Sequence, residues 1–197
     1  HHSELWTPGN SNFTGDVIDM LEDFTKNPFL PKFYESSNKH AFPLELFFMA
    51  ERYHQLKSFK EQDLFHTHLV SDYFFVKSKL FAQNNLQHDE MRLFNRLFDI
   101  MFSSLSKPDF VVYLYADIQR LQLNIKKRGR SFEQNISDNY LQNIQYKYLD
   151  YLRKQDDFPV LILNVSDVDF VSEKSIYQNI KKYVSGSYNK GAHQVNL

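Results

Sequence analysis

Short apolar runs alternate along the chain with longer stretches in which apolar residues recur every three or four positions. The apolar runs predict strands at 17–21, 68–70, 110–115 and 159–165. The periodic stretches predict helices at about 29–35, 40–59, 73–82, 89–105, 117–127, 138–154 and 173–184. Strands that alternate with helices form βαβ units, so the pattern predicts a helix-rich α/β fold with a parallel sheet and helices on both faces.

Acidic residues follow three of the predicted strands. In an open parallel sheet the ligand lies beyond the carboxyl ends of the strands, which makes Glu22, Asp72 and Asp117 candidates for a site. A carboxylate in this position also caps the helix that follows a strand. We favour capping for Asp117, whereas both interpretations stay open for Glu22 and Asp72.

A basic segment follows the predicted helix at 117–127. It places four cations within residues 126–130, puts Gly129 between Arg128 and Arg130, and adds Glu133 three residues later. Guanidinium groups donate hydrogen bonds in a fork that matches phosphate oxygens, and a glycine lets the backbone bend so that two arginines converge. The segment therefore predicts a mobile lid over a transferring phosphoryl group, and the alternative is a solvated basic helix end.

Composition narrows the class of protein. The chain has 197 residues, 42% of them hydrophobic, with a formal net charge of −1, so no overall field favours nucleic acid or membrane as a partner. The lack of cysteine excludes disulfides and thiolate metal ligands and favours a cytoplasmic protein. We expect a tag remnant or flexible N-terminus at 1–14, one domain at 15–184, and a flexible tail at 185–197, where Gly, Ser, Asn and Gln are frequent.

Taken together, these segments resemble the deoxynucleoside kinase family, especially the bacterial deoxyadenosine and deoxyguanosine kinases. The resemblance spans about 22–184 and is strongest in Lys-Arg-Gly-Arg-Ser-Phe-Glu-Gln-Asn-Ile-Ser at 127–137 and in Asn-Pro-Phe-Leu at 27–30. It implies a three-layer phosphate-loop kinase fold, ATP and Mg²⁺ as cofactors, and a homodimer. It also implies transfer of the γ-phosphoryl group of ATP to the 5′-hydroxyl of a deoxynucleoside, with purines favoured, in nucleotide salvage.

The resemblance also implies roles for individual residues. Glu22 matches the carboxylate that contacts the 5′-hydroxyl and serves as general base, as a strand-end carboxylate can. Tyr34 and Glu133 match the residues that contact the sugar 3′-hydroxyl. Arg128 and Arg130 match the lid arginines that hold phosphate oxygens and stabilise charge in the transition state.

Base recognition differs from the family pattern. Arg52, seven residues after Glu45, matches an arginine near the base, and Phe42 and Phe81 are candidates either for an aromatic sandwich around the base or for the core. Glu45 replaces the glutamine that reads the base in the family, and Lys77 replaces a base-facing aspartate. The two form either a base-reading pair with exchanged hydrogen-bond polarity or an ordinary ion pair, so the preferred nucleobase stays open.

Asp72 lies where the family has an arginine, and a carboxylate contacts phosphate only through a metal. Three roles remain for it: a ligand of Mg²⁺, an orienting contact, or a cap. A thymidylate kinase is a weaker match, because it predicts a phosphate-binding arginine near this position.

The phosphate loop GxxxxGK[ST] is not in these 197 residues. The only glycine-containing stretch before Glu22 is 8–15, which has no lysine. We expect an active kinase whose loop lies in a segment not printed here, and the alternative is a non-catalytic relative that binds nucleosides or a partner. A GxxxxGK[ST] motif upstream in the parent reading frame distinguishes the two.

Overall fold

The computed structural model describes residues 17–20, 22–62 and 68–197. The glycine-containing stretch at 8–15, the predicted N-terminal segment 1–14 and Leu21 lie outside these ranges. The chain divides into two compact units, residues 1–106 and 107–197.

In its described residues, the first unit contains one parallel strand pair and four α-helices. Its elements are β1 (Val17–Met20), α1 (Leu30–Glu35), α2 (Ser37–Gln62), β2 (His68–Ser71), α3 (Lys77–Asn85) and α4 (His88–Ser103). Met20 and Ser71 lie opposite each other at the carboxyl ends of β1 and β2, and the Asp72 amide extends the ladder to the Met20 carbonyl at 3.0 Å. Residues that follow the two strands therefore leave the sheet at the same edge.

Stacked phenylalanines form the core of this unit. Phe75, in the turn before α3, stacks on Phe98 with ring centroids 5.0 Å apart, and Phe98 stacks on Phe102 at 5.3 Å. Phe94 and Phe98, one turn apart on α4, are fully buried. Because large aromatic rings contribute much of the apolar area of a core, this stack fixes the start of α3 against α4.

The second unit contains a three-stranded parallel sheet in the order β3-β4-β5. Its elements are β3 (Val111–Tyr115), α5 (Ile118–Arg128), α6 (Asp138–Arg153), β4 (Pro159–Asn164), α7 (Lys174–Val184) and β5 (Gly191–Asn196). The central strand is the most buried, with Val160, Leu161 and Leu163 fully inaccessible, as expected for a strand covered on both faces.

Strand β5 is a correction to the sequence analysis, which expected only a flexible tail at 185–197. It pairs in parallel with β4 over its whole length, and its residues alternate between half-buried and exposed positions. Tyr188 stacks on Phe110 at 5.6 Å and donates a hydrogen bond to the Tyr183 carbonyl at 2.7 Å. Main-chain pairing with β4 and the contact of Tyr188 with the ring of His193 at 5.1 Å stabilise this strand, so its polar sequence contains no strand pattern.

The other predicted strands and helices are present with small shifts at their ends. Helix α2 begins at Ser37, before the predicted start. The prediction began later because the first residues of the helix are polar and show no apolar periodicity, and because Pro43 lies inside the helix. Helix α3 begins only at Lys77, after a turn over 75–76. The predicted α/β class is confirmed, with parallel pairing in both units. Within the described ranges, no helix is long and apolar enough to cross a membrane.

Candidate active site

Glu22, just beyond the carboxyl end of β1, is held by two cations from two helices. Arg52 of α2 places Nε and Nη2 each 2.5 Å from Glu22 Oε1, and Lys77 of α3 places Nζ 2.8 Å from Oε2. Arg52 Nη1 also donates to Ser78 Oγ at 2.9 Å. We call Glu22, Arg52, Lys77 and Ser78 the Glu22 cluster. Sequence reasoning missed Ser78, which had no signal beyond its position next to Lys77.

Aromatic rings fix the guanidinium of Arg52 within this cluster. Its Cζ lies 5.1 Å from the centre of the Phe48 ring and 5.8 Å from that of Tyr73. Tyr73 is itself anchored, because its hydroxyl donates to the Gln55 side chain. Arg52 is only 4% exposed, so a planar, always charged group is the suitable partner for a buried carboxylate here.

The cations determine the charge of Glu22. Burial raises its pKa, but Lys77 and Arg52 outweigh that effect and hold the pKa below its ordinary value. Burial lowers the pKa of Lys77, Arg52 lowers it further, and Glu22 opposes both. Glu22 is therefore a carboxylate at neutral pH and can accept a hydrogen bond from an alcohol.

Asp72, beyond the end of β2, contacts the backbone of Glu22. Its Oδ1 accepts a hydrogen bond from the Glu22 amide at 3.3 Å, while the side chain is exposed to solvent. This contact matches the orienting role among the three that the sequence left open. In the described part of the chain, no group of three or more His, Asp or Glu side chains could hold a metal ion. The role of Asp72 toward Mg²⁺ stays a prediction.

Glu45 is a second buried carboxylate of the same unit. It is 2% exposed, and Asn85 at the end of α3 donates a hydrogen bond from Nδ2 to its Oε1 at 2.6 Å. Burial raises the pKa of Glu45 to about 7. Lys77 contacts Glu22 instead of Glu45, so the ordinary Glu45–Lys77 ion pair is not formed. Asn85 was missed because a polar residue at a helix end has no distinctive pattern.

The remaining candidates of the first unit lie on α1, α2 and α3. Tyr34 of α1 is half-buried, with its ring edge-on to that of Phe33 at a centroid distance of 5.3 Å. Phe42 of α2 and Phe81 of α3 are also half-buried. A half-buried ring is compatible with either interpretation, so the sugar and base contacts of these residues stay predictions.

The basic segment after α5 folds into a tight local structure. Gly129 caps α5 in the left-handed region at φ 73°, and a short 3₁₀ turn, Ser131–Glu133, follows. Arg128 Nη2 contacts Glu133 Oε2, and Arg130 Nη1 lies 3.1 Å from Oε1. The two arginines therefore converge, as the glycine predicted. They meet on one buried carboxylate, which is 8% exposed, whereas the arginines are 33% and 26% exposed.

Two glutamines that sequence reasoning missed hold the backbone around this turn. Gln134 Nε2 donates to the carbonyls of Ile125 and Arg130 at 3.3 and 3.0 Å. Gln122 Nε2 donates to the Ile136 carbonyl and to Asp138 Oδ1, both at 2.8 Å. These hydrogen bonds join the end of α5 to the turn and to the residues before α6. They hold the backbone in the conformation in which Arg128 and Arg130 converge.

Asp117 caps α5, as the sequence analysis favoured. Its Oδ1 accepts a hydrogen bond from the Arg120 amide at 2.7 Å.

Comparisons of sequence agree with the prediction of a kinase family. A family model for deoxynucleoside kinases matches residues 9–187. The chain is 31% identical over 173 residues to a deoxyguanosine kinase of Bacillus subtilis (strain 168), covering 85% of this chain and 82% of that protein. It is 26% identical over 165 residues to a deoxyadenosine/deoxycytidine kinase of the same strain, covering 81% and 76%. The chain belongs to the deoxynucleoside kinase family.

Solved structures agree on the fold. Deoxyadenosine kinase from M. mycoides with bound dATP superposes with a TM-score of 0.72 at 21% identity, covering 86% of this chain and 87% of that one. The same enzyme with the products dCMP and a flexible dCDP gives a TM-score of 0.67 at 20% identity, covering 84% and 85%. The predicted family, the kinase-like α/β fold and the enzyme class are confirmed.

Proposed function

We propose that this protein transfers the γ-phosphoryl group of ATP to the 5′-hydroxyl of a deoxynucleoside, with purines favoured, as a step of nucleotide salvage. Membership of the family and the deoxyguanosine and deoxyadenosine kinases among its relatives support this function. The observation that carries it is the Glu22 cluster, in which an ionised carboxylate at a strand end is fixed by Arg52 and Lys77.

Glu22 receives the 5′-hydroxyl in this proposal. Arg52 contacts Oε1 through two nitrogens and Lys77 contacts Oε2 through one, but a carboxylate has about four acceptor positions, so Oε2 can also accept the alcohol. A carboxylate with a lowered pKa is a weak base, and it takes the proton only as the alcohol oxygen bonds to phosphorus. A loose phosphoryl-transfer transition state needs little more, because positioning and charge stabilisation supply most of the rate.

The Glu22 cluster has one negative charge, on Glu22, and two positive charges, on Lys77 and Arg52, so it carries one surplus positive charge. Lys77 has three N–H donors, and one is used on Glu22. Its side chain is 27% exposed, whereas that of Arg52 is 4% exposed. We therefore assign Lys77 to the 5′ end of the substrate, where an ammonium stabilises the oxygens of an incoming phosphoryl group, and Arg52 to fixing Glu22.

The lid arginines exchange partners in this scheme. Arg128 and Arg130 leave Glu133 for phosphate oxygens, a charge-assisted contact of the same forked geometry. Glu133 is then free to accept a hydrogen bond from a sugar hydroxyl, the role that the family resemblance implies for it. Tyr34 keeps the sugar role implied in the same way.

Asp72 fits a Mg²⁺ ion that accompanies ATP. Its side chain is exposed at the end of β2, and only Oδ1 has a hydrogen-bond partner among the described residues. Mg²⁺ is usually held by one or two carboxylates together with phosphates and waters, so a single hard oxygen donor suffices. When bound, the ion neutralises charge on the transferred phosphates.

We also propose that the protein is a cytoplasmic homodimer. Leu93 and Ile100 lie seven residues apart on one face of α4 and are 48% and 70% exposed, which supports a homodimer formed through this helix. The absence of cysteine supports a cytoplasmic location.

The test is Glu22→Gln in the protein encoded by the full parent reading frame. Transfer of labelled γ-phosphate from ATP to a purine deoxynucleoside should fall by orders of magnitude, because an amide cannot take the proton. The Kd for the nucleoside should change little, because the amide oxygen still accepts a hydrogen bond. Glu35→Gln, at the exposed end of α1, is the control and should keep full activity. Unchanged turnover in Glu22→Gln would refute the assignment.

A further inference from the structure

We propose that Glu45 selects guanine as the nucleobase, by accepting hydrogen bonds from N1–H and the 2-amino group of the purine. The inference deepens the proposed function, on which it rests. It follows from the position of Glu45 relative to the Glu22 cluster, from its single internal partner and from the donor pattern of the bases.

Glu45 and Arg52 lie on the same face of α2. They are seven residues apart, which is nearly two full turns and a rise of about 10 Å. Arg52 is bonded to Glu22, the residue assigned to the 5′-hydroxyl. The distance along the helix from the Glu22 cluster to Glu45 is thus comparable to the length of a purine nucleoside from its 5′-oxygen to the far edge of its base.

The partner of Glu45 orients the carboxylate without neutralising it. Asn85 donates one hydrogen bond to Oε1, and no cation of the described chain forms an ion pair with Glu45. Oε1 keeps a second acceptor position, and Oε2 has no hydrogen-bond partner among the described side chains. A buried carboxylate in this state has capacity for two further donors, and it is stabilised when a ligand supplies them.

Guanine presents two adjacent donors, N1–H and the 2-amino group, which match the two oxygens of a carboxylate. Adenine presents one donor, its 6-amino group, next to the N1 lone pair, which a carboxylate oxygen repels. A glutamine, with one donor and one acceptor, complements N1 and the 6-amino group of adenine, and it also complements N1–H and O6 of guanine. Replacing the amide by a carboxylate therefore excludes adenine and leaves guanine as the preferred purine.

Protonation of Glu45 should also change the preference between guanine and adenine. A protonated carboxyl group has one donor and one acceptor, like glutamine, and burial raises the pKa of Glu45 to about 7. The charged groups that influence it are Arg52 on its own helix, Lys77 on α3 and Glu22 after β1. The preference for guanine over adenine should therefore increase as pH rises through about 7.

The experiment measures the Kd of deoxyguanosine, deoxyinosine and deoxyadenosine by calorimetry at pH 8, for the wild-type protein and for Glu45→Gln. Deoxyinosine lacks only the 2-amino group. Wild type should bind deoxyguanosine tightest and deoxyinosine about tenfold more weakly, with deoxyadenosine weakest. In Glu45→Gln deoxyguanosine should weaken by roughly 10- to 100-fold, the range for losing hydrogen bonds to a charged group, and most of its advantage over deoxyadenosine should be lost.

Two variants control for indirect effects. Glu51→Gln lies on the same helix and is half-buried, and it should leave the ratio of the two affinities unchanged. Glu45→Asp keeps the charge, so it should retain a preference for guanine even if both ligands bind more weakly. The wild-type ratio should also rise between pH 6 and pH 8, whereas that of Glu45→Gln should stay constant.

The outcomes separate this inference from the proposed function. An affinity ratio that is the same in wild type and Glu45→Gln, or a wild type that prefers deoxyadenosine at pH 8, overturns the role of Glu45 even if phosphoryl transfer is observed. A guanine preference that Glu45→Gln removes supports it even if the full-length protein fails to transfer phosphate. Absence of nucleoside binding to the wild type contradicts both.

Discussion

Two clusters of this protein have the same charges but differ in how the chain builds them. In the Glu22 cluster one carboxylate contacts Arg52 and Lys77, and in the lid one carboxylate, Glu133, contacts Arg128 and Arg130. The partners of Glu22 are 30 and 55 residues away along the chain, whereas those of Glu133 are five and three residues away.

The arginines of the two clusters also differ in their exposure to solvent. Arg52 is 4% exposed and packs against two aromatic rings, whereas Arg128 and Arg130 are 33% and 26% exposed. Breaking a buried pair leaves an uncompensated charge, while a partly exposed pair exchanges its partner for water or phosphate at little cost. The Glu22 cluster is therefore suited to hold a substrate group in place, and the lid is suited to open and close on phosphates.

The largest expected effect is on the free energy of unfolding. Arg52→Ala leaves Glu22 largely buried with a single cation, and it should destabilise the protein by about 3–5 kcal/mol. Arg128→Ala should cost less, because Arg128 is 33% exposed and water can replace its guanidinium beside Glu133, whereas water does not reach the site of Arg52 as easily. Urea denaturation of both variants measures the difference, and equal losses would contradict the contrast between the two clusters.

The second effect is on catalysis and concerns the lid. In the proposed function Arg128 donates to the transferring phosphate, so Arg128→Ala in the full-length protein should lose about 3 kcal/mol of transition-state stabilisation, or roughly a hundredfold in kcat. The Kd of the nucleoside should be nearly unchanged. Steady-state kinetics and calorimetry test this pair of expectations. A collapse of nucleoside binding with kcat preserved would mean that the lid has been misassigned.

A smaller effect concerns pH. Because burial raises the pKa of Glu45 to about 7, the protonated form stabilises the fold, and that contribution is lost as pH rises through 7. Between pH 6 and pH 8 the wild type should lose roughly 1 kcal/mol of stability from this group, and Glu45→Gln should not. Urea titrations at both pH values give the difference, and parallel behaviour of the two proteins would place Glu45 in a more polar environment.

The same contrast explains what the sequence predicts well. The convergence of Arg128 and Arg130 was predictable from sequence because the cations, the glycine and the carboxylate lie within eight residues of one another. The ends of most helices and strands follow from local apolar periodicity in the same way. Strand β5 was missed because its pairing with β4, and not its own apolar content, forms it.

Pairings between distant residues could not be predicted in this way. The sequence placed Lys77 at the base beside Glu45, whereas the start of α3, fixed by the Phe75 stack, directs it to Glu22. Asn85, and not Lys77, donates a hydrogen bond to Glu45. Which cation meets which carboxylate depends on how α2 and α3 pack, and a pattern along one chain does not contain that information.

The account depends most on the contact between Glu22 and the 5′-hydroxyl, and a thermodynamic cycle measures it directly. Binding of deoxyguanosine and of its analogue without the 5′-hydroxyl is compared in wild type and in Glu22→Ala. Removing the hydroxyl should weaken binding to the wild type by about 1.5–3 kcal/mol, as for a hydrogen bond to a charged group, and should have little effect in the variant. Equal losses in both proteins would show that Glu22 does not contact the hydroxyl and would contradict the account.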